Sequence, residues 1–413
     1  MSKIFKTGEK VLIICLSSVL ALSIAATTFI GVKLFSDDAA ATPSDKTPTT
    51  VTVADIAKPD KDYSTVDFKD KISKGVLKIK DCGAKVNELV DNGPLIQAAL
   101  KTIAQNPGTT LEFEKGIYYV GPKDKEVEHV FDISEYEADG VHLKGNGCTL
   151  MLIDNFKGCF NMRNCDNIVI EDMYFDCLEA PWVQGTITTW DEKSLTMTLE
   201  LDRDSDLLED PRMNDRMDTR YGMVRDKNNP NLMKAEPINF FFFSSYKKIR
   251  NGAYTVIMSA QSKYLVAPYI EVGDKIILSN RGGHSTFTFD FLGAGNVTLK
   301  DITIYNSAGG GIVGRQNKGD ILLKNFKMMP KEGSGNWVCG NADGVHIQGC
   351  EGSVTLEDCI FSNTSDDVMN LYQWFSDTTK VVSSDTIEVI NNGTSFKKGT
   401  KITIVDPVTG KLL

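Results

Sequence analysis

Four segments of the chain repeat one eleven-residue pattern, and this repeat constrains the fold more than any other feature. The segments are NIVIEDMYFDC (167–177), NVTLKDITIYN (296–306), DILLKNFKMMP (320–330) and SVTLEDCIFSN (353–363). Counted from zero at its first residue, each segment has apolar residues at positions one, three, six and eight, and Asp or Asn at position five. Such alternation predicts strands, because successive side chains of a strand point to opposite faces.

The Asp or Asn at position five predicts a corner between two strands. The parity of the apolar positions changes there, and Asp and Asn tolerate tight turns and left-handed backbone geometry. Two of the repeats start 24 residues apart, which is about one coil of a three-sheet solenoid. We therefore predict an all-β fold, a right-handed parallel β-helix. A β-sandwich also alternates, but it would not repeat one corner four times at coil spacing.

The segment before the first repeat predicts a cap for this solenoid. Within 81–120, an amphipathic helix places Ile96, Ala99, Leu100 and Ile103 on one face, and strands follow near 111–113 and 117–120. A solenoid needs its open end covered, and this helix is suited to that role.

The repeat is interrupted after the first coils, and we predict an inserted small β-domain there that is barrel-like. Residues 185–202 and 269–279 predict β-hairpin strands, and the polar stretch 203–236 predicts a long loop. The solenoid resumes near His284.

The end of the chain repeats features of this insertion. Gly399 of KGTKITI matches Gly273 of VGDKIIL, and the chain stops 14 residues beyond Gly399. We therefore expect a second insertion that is truncated, in a chain that is incomplete. The alternative is that 377–413 fold back as a cap.

The predicted parts follow in chain order. They are a signal peptide or signal anchor (1–35), a flexible linker (36–62), an N-terminal cap with the first coils (75–180), the inserted β-domain (181–283), coils with an acidic site (284–376), and the start of a second, truncated inserted β-domain (377–413).

The N-terminus predicts export. Three lysines precede an uncharged stretch from Val11 to Val32, which is long enough to span a hydrocarbon core. We expect a secreted or cell-surface protein, with residues 11–32 as a retained anchor or, if the chain is cut near Ala41, as a cleaved leader. The membrane would be contacted only through this segment.

Charge and cysteine content exclude other classes of function. A net charge of −10 and a pI near 5.1 argue against nucleic acid as a partner. The nine cysteines form no CxxC pair or Cys/His cluster that could hold zinc, and most alternate with apolar residues. We predict core thiols rather than disulfides, and no metal or cofactor.

Three carboxylates are predicted to meet on neighbouring coils. Asp343 and Asp367 are 24 residues apart, and the residues after them keep step, so that His346 matches Asn370. Stacking would place Asp343 beside the pair Asp366 and Asp367. Such close carboxylates cannot all ionise freely, which supplies the acid and base of glycosidic cleavage. Asp residues are also common in solenoid turns for structural reasons alone.

Further residues near these acids are candidates for substrate contact. They are His346, Asn370, Tyr372, Trp374 and Arg315. Aromatic rings could stack on a sugar, although each of these residues is also explained by packing or by a solvated surface. Arg281 and His284, where the solenoid resumes, are weaker candidates.

At these residues the chain resembles the pectin-lyase-like β-helix superfamily. The opening DCGAKVNE…DNGPLIQAAL…GTTLEFEKGIYYV is similar to that superfamily's N-terminal cap motif. Asn341, Asp343, Gly344, Asp366 and Asp367 are similar to the acid cluster of polygalacturonases. NADGVHIQGCEGSVTLEDCIFSNTSDDVMN and the insertion after Pro181 more closely resemble the α-1,3-galactosidases of glycoside hydrolase family 110. The resemblance covers roughly 75–376.

The resemblance implies an exported glycoside hydrolase that cleaves terminal α-linked galactose with inversion. Asp343, Asp366 and Asp367 would be the acid and base, and the partner would be a glycan. Two alternatives stay open: a polysaccharide lyase of the pectin type, and an inactive, truncated glycan-binding or surface protein.

Overall fold

The computed structural model describes residues 51–413, except 125, 215–219, 236–238, 282–285, 374–375, 391–397, 400, 407 and 413. The predicted leader, His284 and Trp374 lie outside the described residues. Part of the predicted linker is described. Within it, Ala57 pairs with Val90, and its N–H donates to the carbonyl of Leu89 at 2.8 Å. The segment predicted as a linker therefore includes residues that contact the body of the chain.

The described residues form one α-helix, 24 strands and several short 3₁₀ helices. The α-helix, α1, is Gly93–Ala104. In chain order the strands are β1 Val76–Lys78, β2 Thr110–Glu112, β3 Ile117–Val120, β4 His129–Asp132, β5 His142–Leu152, β6 Gly158–Asn161, β7 Ile168–Cys177, β8 Val183–Asp191, β9 Thr196–Leu201, β10 Arg220–Arg225, β11 Phe240–Arg250, β12 Ala253–Met258, β13 Lys275–Asn280, β14 Phe289–Asp290, β15 Val297–Ile304, β16 Ile312–Arg315, β17 Ile321–Lys324, β18 Lys327–Met328, β19 Val345–Gln348, β20 Val354–Glu357, β21 Ile360–Phe361, β22 Met369–Tyr372, β23 Thr378–Ser383 and β24 Thr386–Val389. The 3₁₀ helices are Val53–Asp55, Lys69–Lys71, Ser134–Tyr136, Leu207–Glu209, Pro211–Asn214, Ala260–Ser262 and Ala267–Tyr269.

Two parallel sheets form most of the molecule. Sheet A has ten strands in the order β1-β2-β5-β7-β15-β17-β20, with β3 on β5, β18 on β15 and β21 on β18. Sheet B has six strands in the order β22-β19-β16-β14-β6-β4. From β14 onward the chain visits the two sheets alternately, so each sheet grows by one row at a time. The fold is thus mostly β and built on parallel sheets.

The four repeats lie side by side in sheet A. Ile168 pairs with Val297, Val297 with Ile321, and Ile321 with Val354. The predicted strand pairing is confirmed.

The corner at position five of each repeat is also confirmed. Asp172, Asp301, Asn325 and Asp358 all have left-handed backbone, with φ between 48° and 55°. This conformation is costly for most side chains but tolerated by Asp and Asn. The apolar side chains on both sides of each corner therefore turn toward one core.

That core lies between the two sheets and is closed at the β2–β4 end by α1. The predicted apolar face of the helix, Ile96, Ala99, Leu100 and Ile103, is buried in it. A buried aromatic group led by Phe160 fills its centre: the Phe160 ring stacks on Phe289 with the centroids 5.8 Å apart. The helix contacts β2 and β3 of sheet A and β4 of sheet B.

A small closed barrel of six antiparallel strands interrupts the parallel sheets. Its order is β10-β11-β12-β9-β8-β13, with β13 pairing back to β10. It contains the predicted hairpin of β8 and β9 and the predicted strand β13. The domain boundaries assigned from the sequence stay predictions.

One element of the barrel was predicted wrongly. β10 lies inside the polar stretch 203–236, which the sequence predicts as a loop. The buried guanidinium of Arg225 donates to the carbonyls of Pro230 and Asn231, both at 2.8 Å, and burial lowers its pKa to about 10. Carbonyls of the loop that follows the strand thus satisfy a buried arginine, which sequence periodicity does not reveal.

The eight described cysteines are all free, as predicted, and most are buried. Burial raises the pKa of Cys82 and of Cys165 to about 11, and it also raises the pKa of Cys159 and Cys177. These thiols are therefore protonated core groups.

Among the described residues, no helix has the length and apolar character needed to cross a membrane.

One buried histidine predicts how stability depends on pH. His129 in β4 is buried, its Nε2 finds no hydrogen-bond partner among the described residues, and burial lowers its pKa below the ordinary 6.5. Below about pH 6.5 the unfolded chain then binds more protons than the folded chain. As the pH is lowered through this range, His129 should therefore reduce the free energy of unfolding by up to about 1.4 kcal/mol per pH unit. His129→Gln should flatten this slope in urea unfolding at pH 5 to 7. His142→Gln is the control, because His142 is half-exposed and bonded to Glu171. Equal slopes in wild type and His129→Gln would contradict the assignment.

Candidate functional site

The predicted acids lie at one end of sheet B, just before two neighbouring strands. Val345 of β19 pairs with Met369 of β22, and His346 pairs with Asn370. The N–H of Gly344 donates to the carbonyl of Asp367 at 2.9 Å. The register predicted from the 24-residue spacing is therefore confirmed, and it brings Asp343 beside Asp366 and Asp367.

The three acids, here called the acid cluster, converge on one point. One carboxylate oxygen from each of Asp343, Asp366 and Asp367 lies within 4.8 Å of the other two. Asp343 is buried, whereas Asp366 and Asp367 are exposed. The cluster therefore opens to solvent on one side and is anchored in the protein on the other.

His346 holds the buried member of the cluster. Its Nδ1 lies 2.6 Å from Oδ2 of Asp343, and its Nε2 lies 3.3 Å from the hydroxyl of Tyr372. The His346 and Tyr372 rings meet edge to face, and Phe287 contacts His346 from the other side with the centroids 6.2 Å apart. Aromatic groups thus form a row beside the acids.

A glycine permits this close packing. A Cβ on Gly310 would lie 2.0 Å from the carbonyl oxygen of Asp343 and 2.4 Å from the ring of Phe287. The first distance involves backbone, which cannot move without displacing Asp343. Only glycine lets β19 and the Phe287 ring approach this closely.

Arg281 holds the exposed side of the cluster. It follows β13, the last strand of the barrel, and donates three hydrogen bonds: to Oδ2 of Asp366 at 2.7 Å, to the carbonyl of Asn341 at 2.6 Å and to the carbonyl of Ser365 at 2.8 Å. Its planar fork suits several acceptors at once. The barrel therefore supplies the cation that faces the acid cluster.

Arg281 is itself packed against the barrel. Its guanidinium carbon lies 3.8 Å from the centroid of the Tyr221 ring in β10. The Tyr221 hydroxyl donates to the carbonyl of Ser365 at 3.3 Å, and burial raises the pKa of Tyr221, with Arg281 opposing and Asp366 reinforcing that shift. Tyr221 therefore stays a neutral donor and fixes the plane of the guanidinium.

Two other predicted contact residues lie in the same sheet. Asn370 pairs with His346 across the β19–β22 ladder. Arg315 pairs with Gln348, and Gln348 with Tyr372, so Arg315 lies two residues farther along the strands than His346. Among the described contacts, none joins Arg315 to the acids. Trp374 lies outside the described residues.

Sequence reasoning undervalued the barrel's contribution. Arg281 was only a weak candidate, and Tyr221 and Phe287 were not candidates at all. Arg281 had one usable signal, since it stands where the solenoid was predicted to resume. Tyr221 had none, because its partners in the site, Arg281 and Ser365, are far from it along the chain.

Basic side chains partly offset the negative charge of the acid cluster. His346 faces Asp343, and Arg281 faces Asp366, so two of the three acids have a basic neighbour. Three oxygens at this spacing could also surround a cation, but an acidic cluster alone does not identify a metal site. The prediction that the site uses no metal stays a prediction.

Comparison with known proteins gives relatives of one kind. The chain is 20% identical over 331 residues to α-1,3-galactosidase B of Bacteroides thetaiotaomicron, covering 76% of this chain and 53% of that protein. It is 24% identical over 360 residues to α-1,3-galactosidase A of Shewanella woodyi, covering 80% of this chain and 57% of that protein. The chain thus spans about half the length of these curated relatives. No protein-family model matches it.

Among the similar solved structures is a protein of Parabacteroides merdae, provisionally described as a glycosyl hydrolase. It shares 13% identity with this chain at a TM-score of 0.36, covering 75% of this chain and all of that one. A likeness at that TM-score carries no inference about this fold or its chemistry.

Proposed function

We propose that this chain is a glycoside hydrolase that removes α-linked galactose-type residues from glycans. The convergence of three carboxylates within 4.8 Å, on a surface open to solvent, is the observation that carries the proposal. The names of the curated relatives support a glycoside hydrolase and a glycan substrate. Export, to the cell surface or the medium, is part of the proposal and rests on residues 11–32 alone.

The fold that we propose for the parallel sheets is a right-handed β-helix of the pectin-lyase-like kind. The alternate visits of the chain to sheets A and B, the in-register repeats and the left-handed corners support it. In such a fold, residues from neighbouring rows meet on one face, as Asp343 and Asp367 do.

The proposed reaction needs one protonated and one ionised carboxyl group. The acid donates its proton to the glycosidic oxygen as the bond from that oxygen to the anomeric carbon breaks. The base takes a proton from a water molecule, whose oxygen bonds to the anomeric carbon from the opposite face. The products are free galactose and the shortened glycan, and proton exchange with solvent restores both carboxyl groups.

The neighbours of the cluster would serve this chemistry by fixing its geometry. His346 orients Asp343 through its Nδ1, and Arg281 orients Asp366 while counterbalancing its charge. Asp367 is exposed, and among the described residues its carboxylate has no hydrogen-bond or ion-pair partner, so it is free to contact a bound sugar. We assign the acid and base functions to the cluster as a unit.

The stereochemistry of the product tests the proposal. We expect release of galactose from α-1,3-linked glycans with inversion, so that β-galactose forms first. Inverting enzymes separate their carboxyl groups by about 6.5–9.5 Å and retaining enzymes by about 5 Å. One oxygen from each acid lies within 4.8 Å of the other two, so their spacing alone favours retention. Our expectation of inversion rests on the resemblance to the α-1,3-galactosidases and on pairing Asp343 with Asp366, the member of the pair that is not in register with it. NMR of the first-formed anomer decides between the two outcomes: α-galactose would contradict inversion, and no release from a panel of α-galactosides would contradict the proposed activity.

A polysaccharide lyase is a second candidate because of one observation, the cation at 2.7 Å from Asp366. A lyase of uronate polymers needs a basic group near acidic residues. Arg281, however, is committed to three hydrogen bonds and to the Tyr221 ring, which leaves it poorly placed to take a proton. Lyase products carry an unsaturated uronate that absorbs in the ultraviolet, so absorbance during digestion of pectin separates the two candidates. Glycan binding without turnover would instead support a binding protein.

A further inference from the structure

An aromatic group of the barrel continues the surface of the acid cluster. Tyr221 of β10 lies against Phe240 and Phe242 of β11. The Tyr221 and Phe240 rings are nearly parallel, at 20° with the centroids 5.7 Å apart, and Phe242 meets each of them edge to face at 6.1–6.2 Å. The three rings therefore form one rigid wall.

This wall is joined directly to the acids. Tyr221 packs under the guanidinium of Arg281, and Arg281 donates to Asp366. Phe240 is thus one ring removed from the residue that holds Asp366. It differs from Tyr221 in exposure: Tyr221 is 6% exposed, whereas Phe240 is 39% exposed. Phe240 therefore presents an exposed aromatic surface that is held in place by the wall and connected through Tyr221 and Arg281 to the acid cluster.

The chemistry of the ring limits what it could bind. The face of an aromatic ring carries partial negative charge and attracts the C–H bonds on the apolar face of a pyranose. It offers no hydrogen bond and no formal charge, so it suits a neutral sugar rather than a uronate. The hydrogen-bonding groups nearby, Arg281 and the acids, belong to the part of the site where the glycosidic bond would be cleaved, and Phe240 is separated from them by Tyr221.

We propose that Phe240 is the platform for the sugar on the leaving-group side of the scissile bond. This inference rests on the proposed function, in which only the terminal galactose is removed. A terminal residue has no further sugar on its own side, so any second sugar that meets the wall must belong to the leaving group. Phe240 is then a specificity-determining residue that selects glycans over small galactosides.

The test compares two substrates that share galactose and differ in the leaving group. For Phe240→Ala, kcat/KM should fall about 10- to 100-fold on an α-1,3-linked galactosyl trisaccharide. On α-galactosyl fluoride, whose leaving group has no ring, the loss should be at least about tenfold smaller, because weaker packing against Tyr221 would lower turnover of both substrates equally. Phe240→Trp should retain activity on the trisaccharide. Equal loss on both substrates, or no loss on either, would overturn the platform.

A matched aromatic on the same barrel is the control. Tyr264 is 81% exposed, and its ring contacts Lys263 rather than Arg281. Tyr264→Ala should leave both substrates unaffected, and a change as large as that of Phe240→Ala would contradict a specific role.

Binding separates failure of this inference from failure of the proposed function. If wild type cleaves neither substrate, the proposed activity is wrong, but lactose can still be titrated as a mimic of the leaving group by calorimetry. The dissociation constant should rise about tenfold or more in Phe240→Ala and not in Tyr264→Ala. Equal affinity in all three proteins would overturn the platform independently of catalysis.

Discussion

Replacing any one member of the acid cluster with Asn should lower turnover of an α-1,3-galactoside by about 10²- to 10⁴-fold, the usual contribution of general acid–base catalysis. Asn has the same shape but can neither donate a carboxylic proton nor accept one. Asp366 and Asp367 are exposed, so their replacement removes little packing. The melting temperature of these two variants should therefore stay close to that of wild type.

Asp358→Asn is the matched control for this experiment. Asp358 occupies a left-handed corner with φ 53°, and Asn325 occupies the equivalent corner with φ 48°. The protein already tolerates Asn in this role, so both stability and turnover should be unchanged. If the cluster variants instead unfold at lower temperature while the folded fraction turns over normally, the three acids are structural turn residues and the proposed site is wrong.

Arg281→Ala should produce the second largest loss, about 10- to 100-fold in kcat with a smaller change in KM. The substitution removes the guanidinium that fixes Asp366 and two backbone carbonyls, so the acid would lose its orientation while the sugar contacts remain. Arg281 acts through Asp366 and is a positioning residue.

Two further variants separate this role from a general loss of charge. Arg281→Lys should recover only part of the rate, because a single ammonium can face Asp366 but cannot reach all three acceptors. Arg250→Ala should change nothing, since Arg250 forms an exposed pair with Glu200 at 2.7 Å on the far part of the barrel. Full recovery of the rate in Arg281→Lys would mean that charge alone matters. A rise in KM with kcat unchanged in Arg281→Ala would mean that Arg281 contacts the substrate.

The local features of the fold could be predicted because each is written in a short stretch of sequence. Ile168 and Ile170 lie before the corner at Asp172, and the same types recur at Val297, Leu299 and Asp301. The period of a strand and the tolerance of Asp for left-handed backbone are properties of single residues and their nearest neighbours. The pairing of His346 with Asn370 followed in the same way, from a spacing of one row.

The barrel strand β10 could not be predicted, because its buried arginine is satisfied by carbonyls outside the strand, in the following loop and elsewhere in the chain. Arg225 is bonded to carbonyls of a later loop, and its guanidinium also donates to the carbonyl of Trp337, over a hundred residues away. A prediction from sequence periodicity assigns a polar residue to the exposed face, because it does not include the hydrogen-bond acceptors that the folded chain places around that residue.

The residues of the candidate site differ in the same way in whether they could be predicted from the sequence. The acids share two neighbouring rows of sheet B, so spacing predicts their meeting. Arg281 and Tyr221 come from the barrel and meet Asp366 only through the tertiary fold. The side of the site that the parallel sheets supply was therefore visible in the sequence, and the side that the barrel supplies was not.

The buried thiols have a consequence for how this protein can be studied. The thiols of Cys82, Cys148, Cys159, Cys165, Cys177 and Cys339 are buried, and each is inert while the segment around it stays closed, because burial raises its pKa and keeps reagents away. The rate at which such a thiol is alkylated therefore reports the free energy of opening of that segment. Cys148, Cys177 and Cys339 stand in different rows, whereas Cys350 and Cys359 are only half-buried in the last rows. The alkylation rates of the native cysteines would thus show the order in which the rows of the sheets unfold, without an added label.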